Sequence, residues 1–106
     1  MDHTHKVEVR LVHPVDVSQA TQYLLHRLGC DDWFVACQHE HQFVARLTKG
    51  GVAEYAVSFE CTPPTEKGIY HGSRARVLSI IPLHPEDDLR EDVVREVKVG
   101  LAGLAA

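Results

Sequence analysis

The stretch Cys37-Gln38-His39-Glu40-His41 carries three side chains that could bind a transition metal. Cys37, His39 and His41 stand at every second position. In one straight strand they would project from the same side at intervals of about 6.6 Å, because successive side chains of a strand point to opposite faces. A zinc or copper ion could use such a ridge together with a fourth ligand from elsewhere. The stretch is therefore either a metal site or the tip of a turn.

The flanking residues favour the turn. The triplet Phe-Val-Ala occurs on both sides, starting at Phe34 and at Phe43, each time within an alternating apolar run. We therefore predict a β-hairpin with the histidines at its tip and Gln38 opposite Gln42, because this register separates apolar from polar side chains. The register places Cys37 in the core. We accordingly predict no bound metal and no cofactor.

The segment from Tyr70 to Arg76 is the leading candidate for a ligand-binding loop. It is the only locally basic part of the chain, with Tyr70, His71, Arg74 and Arg76 flanked by glycines. Backbone amides next to glycine, together with arginine side chains, can hold a phosphate or a carboxylate. The glycines do not form a G-x-x-x-x-G-K-[ST] phosphate loop. A turn that leads into an exposed strand explains the same residues, so both interpretations stay open.

No set of residues predicts a catalytic site. A catalytic cysteine needs a neighbouring base and an electropositive setting. Cys37 and Cys61 fall on the expected core face, and Cys30 follows a helix end, where the helix dipole disfavours a thiolate. We therefore expect a protein that is not an enzyme.

Hydrophobic periodicity predicts the element order β-α-β-β-β-β-α. An alternating strand begins at Lys6 and ends before Pro14. The helix that follows has Asp16 as its N-cap and Gly29 as its left-handed end. Four alternating segments come next, and a last helix starts at Pro85.

This order predicts an α+β two-layer sandwich, with an antiparallel sheet of about five strands and two helices on one face. The position of the first strand in the sheet cannot be read from the sequence. We expect residues 1–106 to form a single domain, with residues 1–5 as a flexible N-terminus.

Composition limits the class of partner and the compartment. The chain has 106 residues and a net charge of −4, which argues against general nucleic-acid binding. Its polar N-terminus does not resemble a signal peptide, and no apolar run is long enough to cross a bilayer. Three cysteines without a C-x-x-C spacing indicate reduced thiols. We expect a cytoplasmic protein that does not bind membranes.

The sheet face that is not covered by helices is predicted to carry an apolar patch with a charged rim. Its members are Phe34, Val44, Leu78, Ile80, Arg46, Arg74 and Arg76. Such a surface is typical of protein interfaces, although scattered exposed apolar residues are also normal. We predict that the domain binds a protein, or itself as a homodimer, through this face. The alternatives are a small-ligand or anion binder, or an enzyme, that uses the Tyr70–Arg76 loop, and a phage-type or antitoxin-like inhibitor of a host protein.

Overall fold

The computed structural model describes residues 7–11, 13–39, 41–61, 74–84 and 89–104. Within these residues the helices and strands are, in chain order, β1 (Val7–Glu8), β2 (Val15–Asp16), α1 (Val17–Leu28), β3 (Asp32–His39), β4 (Gln42–Lys49), β5 (Val52–Cys61), β6 (Arg74–Pro82) and α2 (Glu91–Leu104). None of the helices in this part of the chain is long and apolar enough to cross a membrane.

The strands form one antiparallel sheet in the order β1-β6-β5-β4-β3. β2 also pairs with β6, beyond the stretch that β1 covers, so the two short strands share one edge position. The sheet therefore has five strand positions, and both helices lie on one face. The predicted α+β fold and its element order are confirmed.

The first strand is broken where the sequence predicts a continuous run. The backbone N–H groups of Val9 and Arg10 both donate to the carbonyl of Leu78, at 2.9 and 3.1 Å, which is the pattern of a bulge. Arg10 has a φ of 44°, outside the strand region. Pairing with β6 resumes after Pro14, so this proline interrupts the strand without ending its contact with the sheet.

The predicted boundaries of α1 are confirmed. The side chain of Asp16 accepts a hydrogen bond from the N–H of Gln19 at 3.0 Å, which satisfies one of the free amides of the first turn. Gly29 has a φ of 72°, and its N–H donates to the carbonyl of Leu25. Both signals are local, which is why the sequence shows them.

The predicted start of α2 is wrong. The helix begins at Glu91, since Leu89 and Arg90 are not helical. Glu91 and Asp92 supply an acidic first turn, which interacts favourably with the helix dipole. The acidic run after Pro85 carries the same signal in the sequence, but it lies outside the described residues.

The core fills the space between the helices and the side of the sheet that they cover, which we call the inner face. Its buried members include Phe43, Ala45 and Leu47 of β4, Tyr55, Val57, Phe59 and Cys61 of β5, Ala75, Val77 and Ile80 of β6, Val17, Ala20 and Leu24 of α1, and Val97 and Leu101 of α2. The rings of Phe43 and Phe59 stack with their centroids 4.7 Å apart. Burial raises the pKa of the Cys61 thiol.

A bulge in β6 reverses the predicted orientation of its second half. Ser58 pairs with Ser79 and Phe59 pairs with Val77, so Leu78 has no partner on β5. This extra residue turns Ile80 to the inner face, where it is 1% exposed. The prediction that Ile80 belongs to the outward surface is therefore wrong.

A second bulge changes the tip of the β3–β4 hairpin. At its base the predicted register is present, with Val35 opposite Ala45, but Ala36 is an extra residue and Cys37 pairs with Val44. The shift turns Cys37 away from the inner face, and the thiol is exposed. The predictions that Cys37 is buried and that Gln38 stands opposite Gln42 are therefore wrong, since Gln38 pairs with Phe43 and His39 pairs with Gln42.

The two helices approach closely at Gly100 of α2. A Cβ atom at this position would overlap the ring and hydroxyl of Tyr23, which donates to the carbonyl of Glu96 at 3.1 Å. At Gly103 a Cβ atom would meet nothing within 4 Å. Close packing against Tyr23 therefore accounts for Gly100 but not for Gly103.

We expect Gly100→Ala to lower the free energy of unfolding by about 1–3 kcal/mol, because the new methyl group displaces the Tyr23 ring. Gly103→Ala is the matched control, and it should leave stability unchanged or raise it by up to about 1 kcal/mol through helix propensity. Urea denaturation followed by circular dichroism measures both. Equal effects of the two substitutions would contradict the close packing of Tyr23 on Gly100.

Candidate functional site

The side of the sheet away from the helices, which we call the outer face, is crossed by three rows of paired residues. An apolar row joins Phe34, Arg46, Ala56 and Ile81; a serine row joins Cys37, Val44, Ser58, Ser79 and Glu8; a charged row joins His39, Gln42, Glu60 and Arg76. Residues directly opposite one another have Cβ atoms about 4.5–5.5 Å apart. The rows therefore place side chains from all five strand positions in direct contact range.

Three of the predicted partner-binding residues lie together at the β3–β4 end of this face. Phe34 is 49% exposed and stands opposite Arg46, which is also exposed. Val44 is half-buried in the next row. This end of the outer face combines an exposed aromatic ring with an arginine, two side-chain types that are enriched in protein interfaces.

The remaining predicted residues do not join this group. Leu78 is the half-buried bulge residue of β6. Arg74 lies at the start of the same strand, where its Nη2 donates to the carbonyl of Pro14 at 3.0 Å. Tyr70 and His71 lie outside the described residues. Because Ile80 is buried on the inner face, the predicted patch does not have all of its members on one surface, and partner binding by the other members stays a prediction.

The charged row contains an ion pair between Arg76 and Glu60, in which Arg76 Nη2 donates to Glu60 Oε1. His41 Nε2 lies 3.6 Å from the other carboxylate oxygen. The hydrogen bond from Arg76 lowers the pKa of Glu60 below its ordinary value, and the partial desolvation of the carboxyl opposes this shift. The pair therefore contributes stability above the ordinary carboxyl pKa, and this stability is lost as the pH falls through the lowered pKa.

A cleft of about 570 Å³ opens on the outer face where the serine and charged rows approach the N-terminal strand. Its walls include Glu8 and Arg10 of the N-terminal segment, Ser58 and Glu60 of β5, and Arg76 and Ser79 of β6. Arg10 Nε donates to Glu8 at 3.0 Å, so both carboxylates in the walls are paired with an arginine. The volume of the cleft falls in the usual range for small-molecule sites.

Two polar atoms in the walls of the cleft lack hydrogen-bond partners among the described residues. They are Ser79 Oγ and Arg76 Nε, and both are shielded from solvent. Ser79 as a whole is 1% exposed. Buried polar groups are nearly always hydrogen-bonded, so two unpaired groups in one cleft require an explanation.

The opposite edge of the sheet is formed by β3, which pairs with β4 only, among the described strands. Two of its side chains are exposed on opposite faces: Phe34 points to the outer face, and Val35, opposite Ala45, points to the inner face and is 38% exposed, while Trp33 on the inner face packs against the core. The strand is eight residues long. Such an edge offers backbone N–H and C=O groups to another chain.

The possible metal ligands of the hairpin tip do not assemble. Cys37 and His39 stand two residues apart on the outer face, and His41 lies next to the Glu60 carboxylate, which is already paired with Arg76. The described residues contain no group of three or more His, Cys, Asp or Glu side chains placed to hold a metal ion. The absence of a bound metal stays a prediction.

Sequence reasoning missed Ser79, although one signal could have found it. Strict alternation along β6 would put Ser79 on the inner face, between Val77 and Ile81. A lone hydroxyl without a partner is unfavourable in an apolar core. That conflict indicates a break in the alternation, which the bulge at Leu78 provides.

Comparisons of the chain with protein-family models, with curated proteins and with solved structures found no match. Inference about function therefore rests on the geometry of the described residues.

Proposed function

We propose that this chain is a non-enzymatic protein-binding domain that forms a homodimer by pairing the β3 strands of two copies. The observation that carries the proposal is that β3 pairs with no strand other than β4 among the described residues, with Phe34 and Val35 exposed on opposite faces of the strand. A second strand added at this edge would gain side-chain contacts on both faces, at Phe34 and at Val35.

The composition of β3 supports this use of the edge. Natural proteins protect exposed edges with charged residues, prolines or bulges. The segment Trp33–Cys37 contains no charged residue and no proline. The bulge at Ala36 bends the strand, so we expect pairing to be strongest along the straight half that carries Trp33, Phe34 and Val35.

Charge favours a second copy of the chain in antiparallel orientation. Asp31 and Asp32 stand at the start of β3, and His39 stands at its end. Antiparallel pairing about a two-fold axis near Phe34 places Asp32 of each copy opposite the uncharged Ala36 of the other, whereas parallel pairing would place the aspartates side by side. Each favourable contact then occurs twice.

The expected affinity is modest. Full burial of a side chain such as Phe34 or Val35 contributes roughly 1.5–3 kcal/mol before the cost of association. Strand pairing buries less area than a standard protein interface, so we expect dissociation in the micromolar range. Arg46 and Val44, next to Phe34 on the outer face, would lie at the border of the interface.

The three free cysteines support a reducing compartment. Cys30, Cys37 and Cys61 form no disulfide, and the thiol of Cys37 is exposed. An exposed free thiol close to a dimer interface persists as a thiol only where glutathione or thioredoxin keeps it reduced. We therefore place the protein in the cytoplasm as part of the proposal.

The test is the mass of the native protein in solution. Sedimentation velocity over a range of concentrations should show a monomer–dimer equilibrium, and Phe34→Glu or Val35→Lys should raise the dissociation constant by at least about tenfold, because each adds a charge to the edge. The matched control is Val99→Glu on α2, at a valine that is 69% exposed and far from β3 in the chain.

The control should dimerise like the native chain. A native protein that stays monomeric at millimolar concentration would contradict the proposal. Loss of association in the Val99→Glu protein alone would place the interface on α2 instead.

A further inference from the structure

We propose that the cleft on the outer face binds an uncharged ligand through an amide group, held by Arg76 and Ser79. This site is separate from the β3 edge, because the cleft is lined by residues of the N-terminal segment, β4, β5 and β6 and by none of β3. Its occupation and the proposed homodimer therefore do not depend on each other.

The two unpaired polar atoms select the chemistry of the ligand. Arg76 Nε carries a hydrogen and can only donate, whereas the hydroxyl of Ser79 can donate or accept. An amide offers the matching pair, since its carbonyl accepts from Arg76 and its N–H donates to Ser79. One small group would then satisfy both atoms.

The charged residues in the walls of the cleft disfavour a carboxylate or an ammonium group as the ligand. A carboxylate could accept from both atoms, but the two arginines that would stabilise its charge are each already paired with Glu8 or Glu60 of the same cleft. An ammonium group would find no acceptor at Arg76 Nε. Each acidic side chain is already paired with an arginine, so the cleft is close to neutral and suits a neutral ligand.

The ligand reaches the two atoms by a side-chain movement. Both atoms are shielded in the unliganded chain. The side chains of Arg10 and Arg76 in the walls are 78% and 40% exposed, and their long stems can rotate without a change in the backbone. The bound amide then occupies the space between the two arginine side chains.

The experiment follows the Nε–Hε signal of Arg76 by ¹H–¹⁵N NMR during titration. The probes are acetamide, sodium acetate, which has the same shape but carries a charge, and the capped dipeptide N-acetyl-glycyl-glycine amide, all at equal ionic strength. We expect a saturable shift with acetamide and a much smaller response to acetate. If the capped dipeptide binds more tightly than acetamide, the natural source of the amide is a peptide backbone. If the two bind equally, the natural ligand is a small amide.

The variant Ser79→Ala should weaken acetamide binding by about tenfold, because one hydrogen bond is lost while the Arg76 reporter remains. Without ligand its urea midpoint should be unchanged or higher, because a shielded hydroxyl without a partner is removed. The matched control is Arg46→Lys, an arginine of the apolar row that does not line the cleft, which should leave binding unchanged.

Three results would overturn the proposal. They are tighter binding of acetate than of acetamide, no saturable shift with any amide probe, and a large loss of stability in unliganded Ser79→Ala. Tighter binding of acetate would show that the cleft is an anion site. The absence of any saturable shift would show that it holds only water. A large loss of stability in Ser79→Ala would show that the hydroxyl has a structural hydrogen-bond partner.

Discussion

Ile80→Glu is expected to unfold the domain, whereas Ile81→Glu leaves it folded. Ile80 is 1% exposed and stands opposite Val57 on the inner face. A carboxylate there would be buried without a partner, which costs several kcal/mol, and domains of this size are stable by only about 5–15 kcal/mol. Circular dichroism and urea denaturation of the two variants measure the difference.

The neighbouring residue is the matched control because it has the same side chain on the other side of the sheet. Ile81 stands opposite Ala56 in the apolar row and is only half-buried. We expect Ile81→Glu to lower the free energy of unfolding by about 1 kcal/mol, which is typical of single substitutions. A stable Ile80→Glu protein together with an unfolded Ile81→Glu protein would show that β6 has the opposite orientation.

The sequence predicted the inward residues of β4 up to Leu47 and those of β5 from Tyr55 onward, because alternation is unbroken in these stretches. Glu54 is an extra residue in β5, so the alternation does not extend to Ala53, which pairs with Thr48. Phe43, Ala45 and Leu47 are buried as predicted, as are Val57 and Phe59. Alternation has a period of two, so each inward position implies the next as long as no residue is inserted.

The same reasoning failed beyond each bulge. The extra residues Ala36 and Leu78 reverse the orientation of everything that follows them in β3 and β6. Neither has a side chain that distinguishes a bulge from a regular strand position. As a consequence Cys37 was wrongly placed inside and Ile80 outside, although the number and order of the strands were right.

The candidate site was predicted only in part, for a related reason. The outward positions of Phe34 and Arg46 follow from local alternation in the hairpin. The cleft requires the N-terminal strand to lie along β6, which brings Arg10 near Arg76. That contact joins residues far apart in the chain, and periodicity within a segment carries no information about it.

The two proposed sites are compatible within one assembly. A two-fold axis perpendicular to the sheet reverses the strand direction and keeps the two outer faces on the same side. Pairing at β3 would therefore extend the sheet and leave both clefts open on one surface, towards the outer ends of the dimer. A homodimer of this kind would bind two amide ligands, one on each copy.

Phe59→Ala is expected to lower the free energy of unfolding by about 3–5 kcal/mol, the range found for phenylalanine truncated in a core. Phe59 is fully buried, and its ring stacks on Phe43. The two residues are direct partners of β4 and β5, and the next pair along these strands is Gln42 with Glu60 of the charged row. Loss of the ring therefore removes packing directly beneath one wall of the cleft.

Phe34→Ala is the control for Phe59→Ala, because the same truncation is made at a ring that lies on the outer face. Its effect should stay below about 1 kcal/mol at a protein concentration where the chain is monomeric, since an exposed ring has little burial to lose. Urea denaturation at that concentration separates the two variants, and the slope of the transition shows whether unfolding still exposes the same surface. Similar losses at Phe34 and Phe59 would mean that the outer face is covered within the monomer. Phe34 would then not be available to the proposed interface at β3.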